Sequence, residues 1–207
     1  MTIAVHLSEK QQQEWMRKQT VPVARIIWLN GLTDPGMQEA DVLIDLQFTP
    51  ATDYTQYSLP AIVLVNAVAQ TCSQLPAGFI RINAWPGFLE RPVTELAAAT
   101  PESRTNGAMA MQVLGWRYSF APDVPGFITA TVIAMIINEA WFALEEGVST
   151  QAAINTAMKL GTNYPYGPFE WCNSIGAAEV LTLLRVLSAT DSRYKPANLL
   201  VKNAEQA

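Results

Sequence analysis

The sequence is short of the residues from which common sites are built. It has eleven glycines, none before Gly31, and no two stand two apart. A glycine-rich dinucleotide loop and a Walker-type phosphate loop are therefore absent in their usual spelling. His6 is the single histidine, which excludes a multi-histidine metal site. Cys72 and Cys172 lie a hundred residues apart, which excludes a zinc knuckle. Only 15% of the residues are charged, and the net charge of −5 argues against nucleic acid, which needs a basic face. The longest strongly apolar run, 127–137, is eleven residues, where about 20 are needed to span a bilayer. The N-terminal MTIAVHLSEK lacks the pattern of a signal peptide. Two cysteines with no evident partner fit a reducing compartment, so the expected location is cytoplasmic.

What is present is apolar: half of the 207 residues, enough for a sizeable core. The first half reads as strands alternating with helices. Strands are expected at 2–7, 24–29, 41–48, 61–66 and 79–85, with a last one at 117–120. Continuous apolar runs such as AIVLVN at 61–66 are typical of parallel strands buried on both faces. Ser8 with Gln11 three residues on forms a capping box that opens a polar helix to about Lys18. A second helix is expected at 101–114. After Pro122 the pattern turns helical. A long apolar helix is expected at 127–146, ended by Gly147, with Glu145 and Glu146 as its solvated end. One follows from a Ser149 cap to Leu160, stopped by Gly161. Another starts at Pro168, and a last runs over 177–188. The expected division is an α/β half at 1–122 and an all-α half at 123–207.

Several segments of the second half are specific. They are PGFI at 125–128, INEA at 137–140, ALEEGVS at 143–149, INTAMKLGTNYPYGPFEWCNSIG at 154–176 and RYKPANLL at 193–200. This stretch resembles the C-terminal helical domain of the 3-hydroxyacyl-CoA dehydrogenases. The resemblance implies a reduced Rossmann-like parallel sheet followed by an all-α domain of the 6-phosphogluconate-dehydrogenase-like type. It also implies a homodimer through the helical domain, NAD as the family's cofactor, and oxidation of an L-3-hydroxyacyl-CoA in fatty-acid metabolism.

Position by position, the family's chemistry is replaced. Leu7, Glu9 and Gln12 occupy the three places of its glycine fingerprint, and Asn30 that of its acidic ribose ligand. Glycine there lets the backbone turn tightly against a pyrophosphate; Leu7 adds a side chain and Glu9 a repelling charge. Asn30 is followed almost at once by ADVLID at 40–45, where the family inserts a helical hairpin that contacts CoA. The family's catalytic glutamate corresponds to Glu95. Twelve residues before it, at the histidine position, stands Asn83, whose amide cannot take a proton near neutral pH. The family's supporting serine falls near Val68, and its asparagine and arginine at Ala130 and Thr131.

The resulting expectation is a homodimeric homologue that is non-catalytic or functionally diverged. It has no cofactor and a small acyl or acyl-CoA-like ligand, and it meets neither nucleic acid nor membrane. The alternative is an enzyme of altered chemistry on an acyl-CoA or small hydroxy-acid substrate, using Glu95 beside Asn83. Completion of the missing parts by another subunit stays open. His6, at a strand end, is a lesser candidate base. Tyr164, Tyr166, Phe169 and Trp171 either line an acyl pocket or pack in the core or dimer interface. The apolar stretches 127–143 and 180–186 are the expected dimer surface.

Overall fold

A computed structural model describes residues 1–18 and 23–206 and divides the chain into two compact units, Met1–Phe127 and Ile128–Ala207. The first unit is built on strands β1 (Thr2–His6), β2 (Arg25–Leu29), β3 (Val42–Asp45), β4 (Ile62–Val65), β5 (Ile80–Ile82), β6 (Thr94–Ala97) and β7 (Tyr118–Phe120), with helices α1 (Glu9–Arg17) and α2 (Pro101–Val113). The sheet order is β2-β1-β3-β4-β5-β6-β7. The first five strands are parallel, β5–β6 is antiparallel and β6–β7 is parallel again. The central strands are buried on both faces, as their unbroken apolar runs require. Ile3, Val5, Val42, Ile44 and Leu64 point to one side, where Trp15 of α1 and Met111 of α2 cover them. Ala4, Leu43, Val63 and Val65 point to the other, against Met37, Tyr54 and Phe79.

β6 is a strand that the sequence pattern did not disclose. It breaks the parallel order of the sheet and brings Thr94–Ala97 back alongside β5. The segment 123–127, expected with the helices, belongs to the sheet unit, held there by one buried arginine. Arg81, fully buried on β5, donates from Nε to the Ala67 carbonyl at 2.9 Å. Its Nη2 donates to Val68 at 3.1 Å, and its Nη1 to Asp123 Oδ1 at 2.7 Å and the Val124 carbonyl at 3.2 Å. The Gly126 N–H adds a bond of 2.7 Å to the Val68 carbonyl.

The helical unit contains α3 (Thr129–Glu145), α4 (Gln151–Thr162), α5 (Pro168–Ile175), α6 (Ala177–Ser188) and α7 (Asn198–Gln206). α3 starts two residues later than expected, because Gly126 and Phe127 both have positive φ, 83° and 50°, which no helix accommodates. α4 is capped by Thr150 rather than Ser149. It passes through Gly161 and ends at Asn163 in the left-handed region, which asparagine tolerates. Glu145 is not merely solvated; it accepts a bond from the Leu199 N–H. Asn138, fully buried on α3, donates to the Lys195 carbonyl and accepts from the Ala197 N–H, both at 2.9 Å. That amide pins the RYKPANLL segment to α3.

The G-P-F-E turn has an equally local cause. Asn155 Oδ1 accepts from the Phe169 N–H at 3.0 Å, and the Asn155 side chain then lies 2.3–2.5 Å from where a Gly167 Cβ would stand. Only glycine leaves that space. Glu170 closes the turn, accepting from the Gly167 N–H at 2.9 Å and from Lys159 Nζ at 2.6 Å.

Candidate functional site

In an open α/β sheet, ligands lie beyond the carboxyl ends of the strands, where the strand order reverses. Here the reversal falls between β1 and β3, and α1 begins directly beyond β1. Its N-terminus is closed by the chain's own side chains. Ser8 Oγ accepts from the Gln11 N–H at 3.3 Å, and Gln11 Oε1 accepts from the Ser8 N–H at 3.0 Å. Gln11, nearly fully buried, also donates to the Leu46 carbonyl at 3.2 Å and accepts from Gln47 at 2.5 Å. Helix start and β3 end are thereby stitched together. Leu7 packs into the core, Glu9 is exposed in the first turn, and the Gln12 N–H is bonded to the Ser8 carbonyl at 2.9 Å.

These residues do not fit a dinucleotide. The Ser8, Gln11 and Gln12 N–H groups already have acceptors, and Glu9 sets a negative charge at the helix end that a phosphate would occupy. Asn30, after β2, is exposed, and its N–H donates to the Asp34 carboxylate at 3.3 Å; the side chain at the ribose-ligand position is itself an amide and not an acid.

The fold does bring Asn83 and Glu95 together. The antiparallel pairing of β5 and β6 continues for one more residue, with the Asn83 N–H donating to the Glu95 carbonyl at 3.0 Å. Their side chains then meet, Asn83 Nδ2 donating to Glu95 Oε2 at 2.8 Å. Asn83 is buried and Glu95 half-buried. Asn66 Oδ1 accepts from the Ala84 N–H at 2.9 Å and steadies the same strand end. Arg91 lies near enough for the Glu95 charge to favour its cationic form against the dominant effect of burial, which lowers its pKa. The result is an amide–carboxylate pair that can hold a hydroxyl or carbonyl group.

His6 is held elsewhere. Its Nδ1 lies 2.9 Å from Oδ1 of the buried Asp45, whose Oδ2 accepts from the Tyr54 hydroxyl at 2.5 Å. Burial, reinforced by the Asp45 charge, pushes the Tyr54 pKa up. β1 and β5 are separated by β3 and β4, so His6 stands roughly 14 Å from Asn83, three strand spacings away. It is not placed to act together with Glu95. Val68 is buried, and its carbonyl serves Arg81 and Gly126. In the helical unit Ala130 is buried and Thr131 half-buried.

The four aromatics Tyr164, Tyr166, Phe169 and Trp171 differ in exposure, although Tyr166 packs edge-on to Trp171 at 4.8 Å. Phe169 and Trp171 are buried, with Phe169 5.1 Å from Trp141; Tyr164 and Tyr166 are exposed. The cysteines are unreactive thiols. Burial pushes Cys72 up to about 12, aided by Asp123, and raises Cys172 as well. No sequence pattern signals the Asp45–Tyr54 pair or the Arg81–Asp123 clasp, because each joins residues that meet only once the sheet forms. Among the described residues, no three His, Cys, Asp or Glu side chains gather where a metal ion could be held, and no helix is long and apolar enough to cross a membrane.

Comparison with known proteins agrees with this division. Residues 126–207 match the model of the 3-hydroxyacyl-CoA dehydrogenase C-terminal domain. The 3-hydroxyadipyl-CoA dehydrogenase of Escherichia coli K12 is 41% identical over 111 residues, which are 52% of this chain and 23% of that protein. The structure of a 3-hydroxybutyryl-CoA dehydrogenase from E. coli K12 is 32% identical with a TM-score of 0.63, covering 72% of this chain and 33% of that one. The chain thus spans about a quarter to a third of these relatives. FadB2 of Mycobacterium tuberculosis, at 13% identity, shares the fold over 99% of this chain and 93% of its own, with a TM-score of 0.76. Residues 126–207 thus carry the C-terminal domain of the 3-hydroxyacyl-CoA dehydrogenases, and the sheet that precedes them has a Rossmann-like order.

Proposed function

We propose that this chain is a functionally diverged member of its family that does not carry out NAD-linked oxidation of 3-hydroxyacyl-CoA. It acts instead as a homodimeric binding protein for a small acyl or acyl-CoA-like ligand, in the cytoplasm and within acyl-CoA metabolism. One observation carries this reading: Asn83 holds the histidine position and is bonded to Glu95 at 2.8 Å, so the carboxylate faces an amide that cannot take up a proton. The closed N-terminus of α1 supports it independently.

The dimer rests on α4. Not one of its side chains is buried within the chain, and Leu160 is 82% exposed. By contrast Val180, Leu181, Leu183 and Leu184 are buried in the core of the unit, so of the expected stretches 127–143 and 180–186 only residues such as Ile128, Val132 and Val186 stay exposed, and the pairing surface shifts to α4. Light scattering at micromolar concentration should give twice the chain mass; a monomer overturns the dimer.

The half-buried position of Glu95 favours a second reading, an enzyme of altered chemistry on an acyl-CoA or small hydroxy acid with Glu95 as its working group. Assays of 3-hydroxybutyryl-CoA and 3-hydroxyadipyl-CoA with NAD separate the two. The first reading expects no turnover, and turnover abolished by Glu95→Gln establishes the second.

A further inference from the structure

Away from Asn83 and Glu95, two cavities share one lysine. The first, about 210 Å³, is lined by Trp15, Trp28, Trp116, Ile26 and Leu114, with Lys18 at its side. Its ring walls stand at an angle to one another: Trp15 and Trp28 are edge-on at 5.7 Å, and Trp15 and Trp116 are tilted at 4.3 Å. The second, about 380 Å³, is bordered by Arg17, Lys18, Arg91 and Arg117, with Glu90 as the one carboxylate on its wall. Glu90 is engaged by Arg17 at 2.7 Å, and Arg91 is near Glu95. Arg117 is exposed and has no salt-bridge partner among the described residues. In a chain of net charge −5, this cleft keeps an excess of cations.

Lys18 joins the two. Its Nζ lies 4.1 Å from the centre of the Trp116 ring and donates to Thr94 Oγ1 at 2.9 Å. Thr94 and Glu95 are successive residues of β6, so their side chains leave opposite faces of the sheet. The paired cavities therefore form a separate site from the Asn83–Glu95 pair.

We propose that these cavities form one binding site for a small planar aromatic anion, its ring among Trp15, Trp28 and Trp116 and its acidic group against Arg117 and Lys18. Size and chemistry both fit. An apolar cavity of roughly 150 Å³ holds a benzene ring, so the aromatic cavity has room for a bicyclic one. Flat rings are favoured among tryptophans, and carboxylate or phosphate oxygens are favoured by guanidinium forks. Burial pulls the Lys18 ammonium down to about 8, a desolvation that a ligand anion would offset.

Calorimetry and tryptophan fluorescence on the whole chain test the site. The probes are indole-3-acetate and 1-naphthyl phosphate as ring anions, indole as a ring without charge, and acetate and inorganic phosphate as charges without a ring. The carboxylate and phosphate arms show which acid the cleft takes. At least one ring anion should bind saturably, at least tenfold tighter than indole and than the bare anions, with affinity falling as salt rises. Arg117→Gln, at an exposed position that does not support the fold, should weaken it about tenfold, and Trp28→Ala should do the same through the ring. Failure of both ring anions to saturate, indole binding as tightly, or indifference to Arg117→Gln overturns the proposal.

Discussion

The two units of this chain differ in what carries their likeness to the 3-hydroxyacyl-CoA dehydrogenases. In the helical unit the family's residues remain because each has a packing partner. Gly167 leaves room for Asn155, Glu170 closes the turn, and Asn138 pins the chain at Lys195 and Ala197. In the sheet unit the strand order is Rossmann-like, while Leu7, Glu9, Asn30 and Asn83 stand at the positions expected to face a dinucleotide and a reacting hydroxyl. Strand order there depends on apolar runs buried on both faces, which need neither glycine nor histidine. Residues that serve packing are held wherever the packing is held. Residues that serve a ligand can change with no cost to the fold, and here Ser8 and Gln11 have taken over the helix end.

That contrast can be broken at single positions. The largest effect is expected in the sheet unit, at Arg81→Met. It removes the cationic partner of Asp123, the donor to the Ala67 and Val124 carbonyls and one of the two donors to the Val68 carbonyl, at a cost of about 3–5 kcal/mol. Urea denaturation followed by circular dichroism measures this. Burial raises the Asp123 pKa, but the Cys72 N–H and Arg81 outweigh it and hold the carboxyl below its ordinary value. The same clasp should therefore loosen in acid. In the helical unit, Gly167→Ala should cost about 1–3 kcal/mol by overpacking against Asn155, and Asn155→Ala in the same background should recover part of it. Ser8→Ala should cost about 1 kcal/mol, the usual loss of an N-cap. The smallest effect is a pH slope. Burial lowers Lys18 from 10.5 to about 8, so between those values the unfolded chain holds a proton that the folded chain has released. Stability should rise with pH across that window, and Lys18→Met should flatten the rise.

Local features were legible in the sequence. The Ser8–Gln11 box and the helix Ala177–Ser188 follow from short-range pattern alone. β6 was hidden because four residues, TELA, carry a charged Glu95 and follow directly on a proline-containing loop; only pairing with distant β5 makes them a strand. The α4 cap was displaced by one residue because Ser149 and Thr150 are equally good caps side by side. Of the candidate site, Asn83 and Glu95 were legible through the family's spacing. The cluster of Lys18 and Arg117 was not, because its members are remote in sequence and meet only when α1 packs near the start of β7.

On the proposed reading, this scaffold has closed its nucleotide site with its own side chains. Titration with NAD, read as thermal stability of the whole chain, tests it most directly. Any ligand that binds only the folded state must raise the melting temperature as its concentration passes its Kd. No shift is expected up to about 1 mM NAD, a concentration far above the Kd of a working dinucleotide site. A saturable rise in melting temperature with NAD would contradict it.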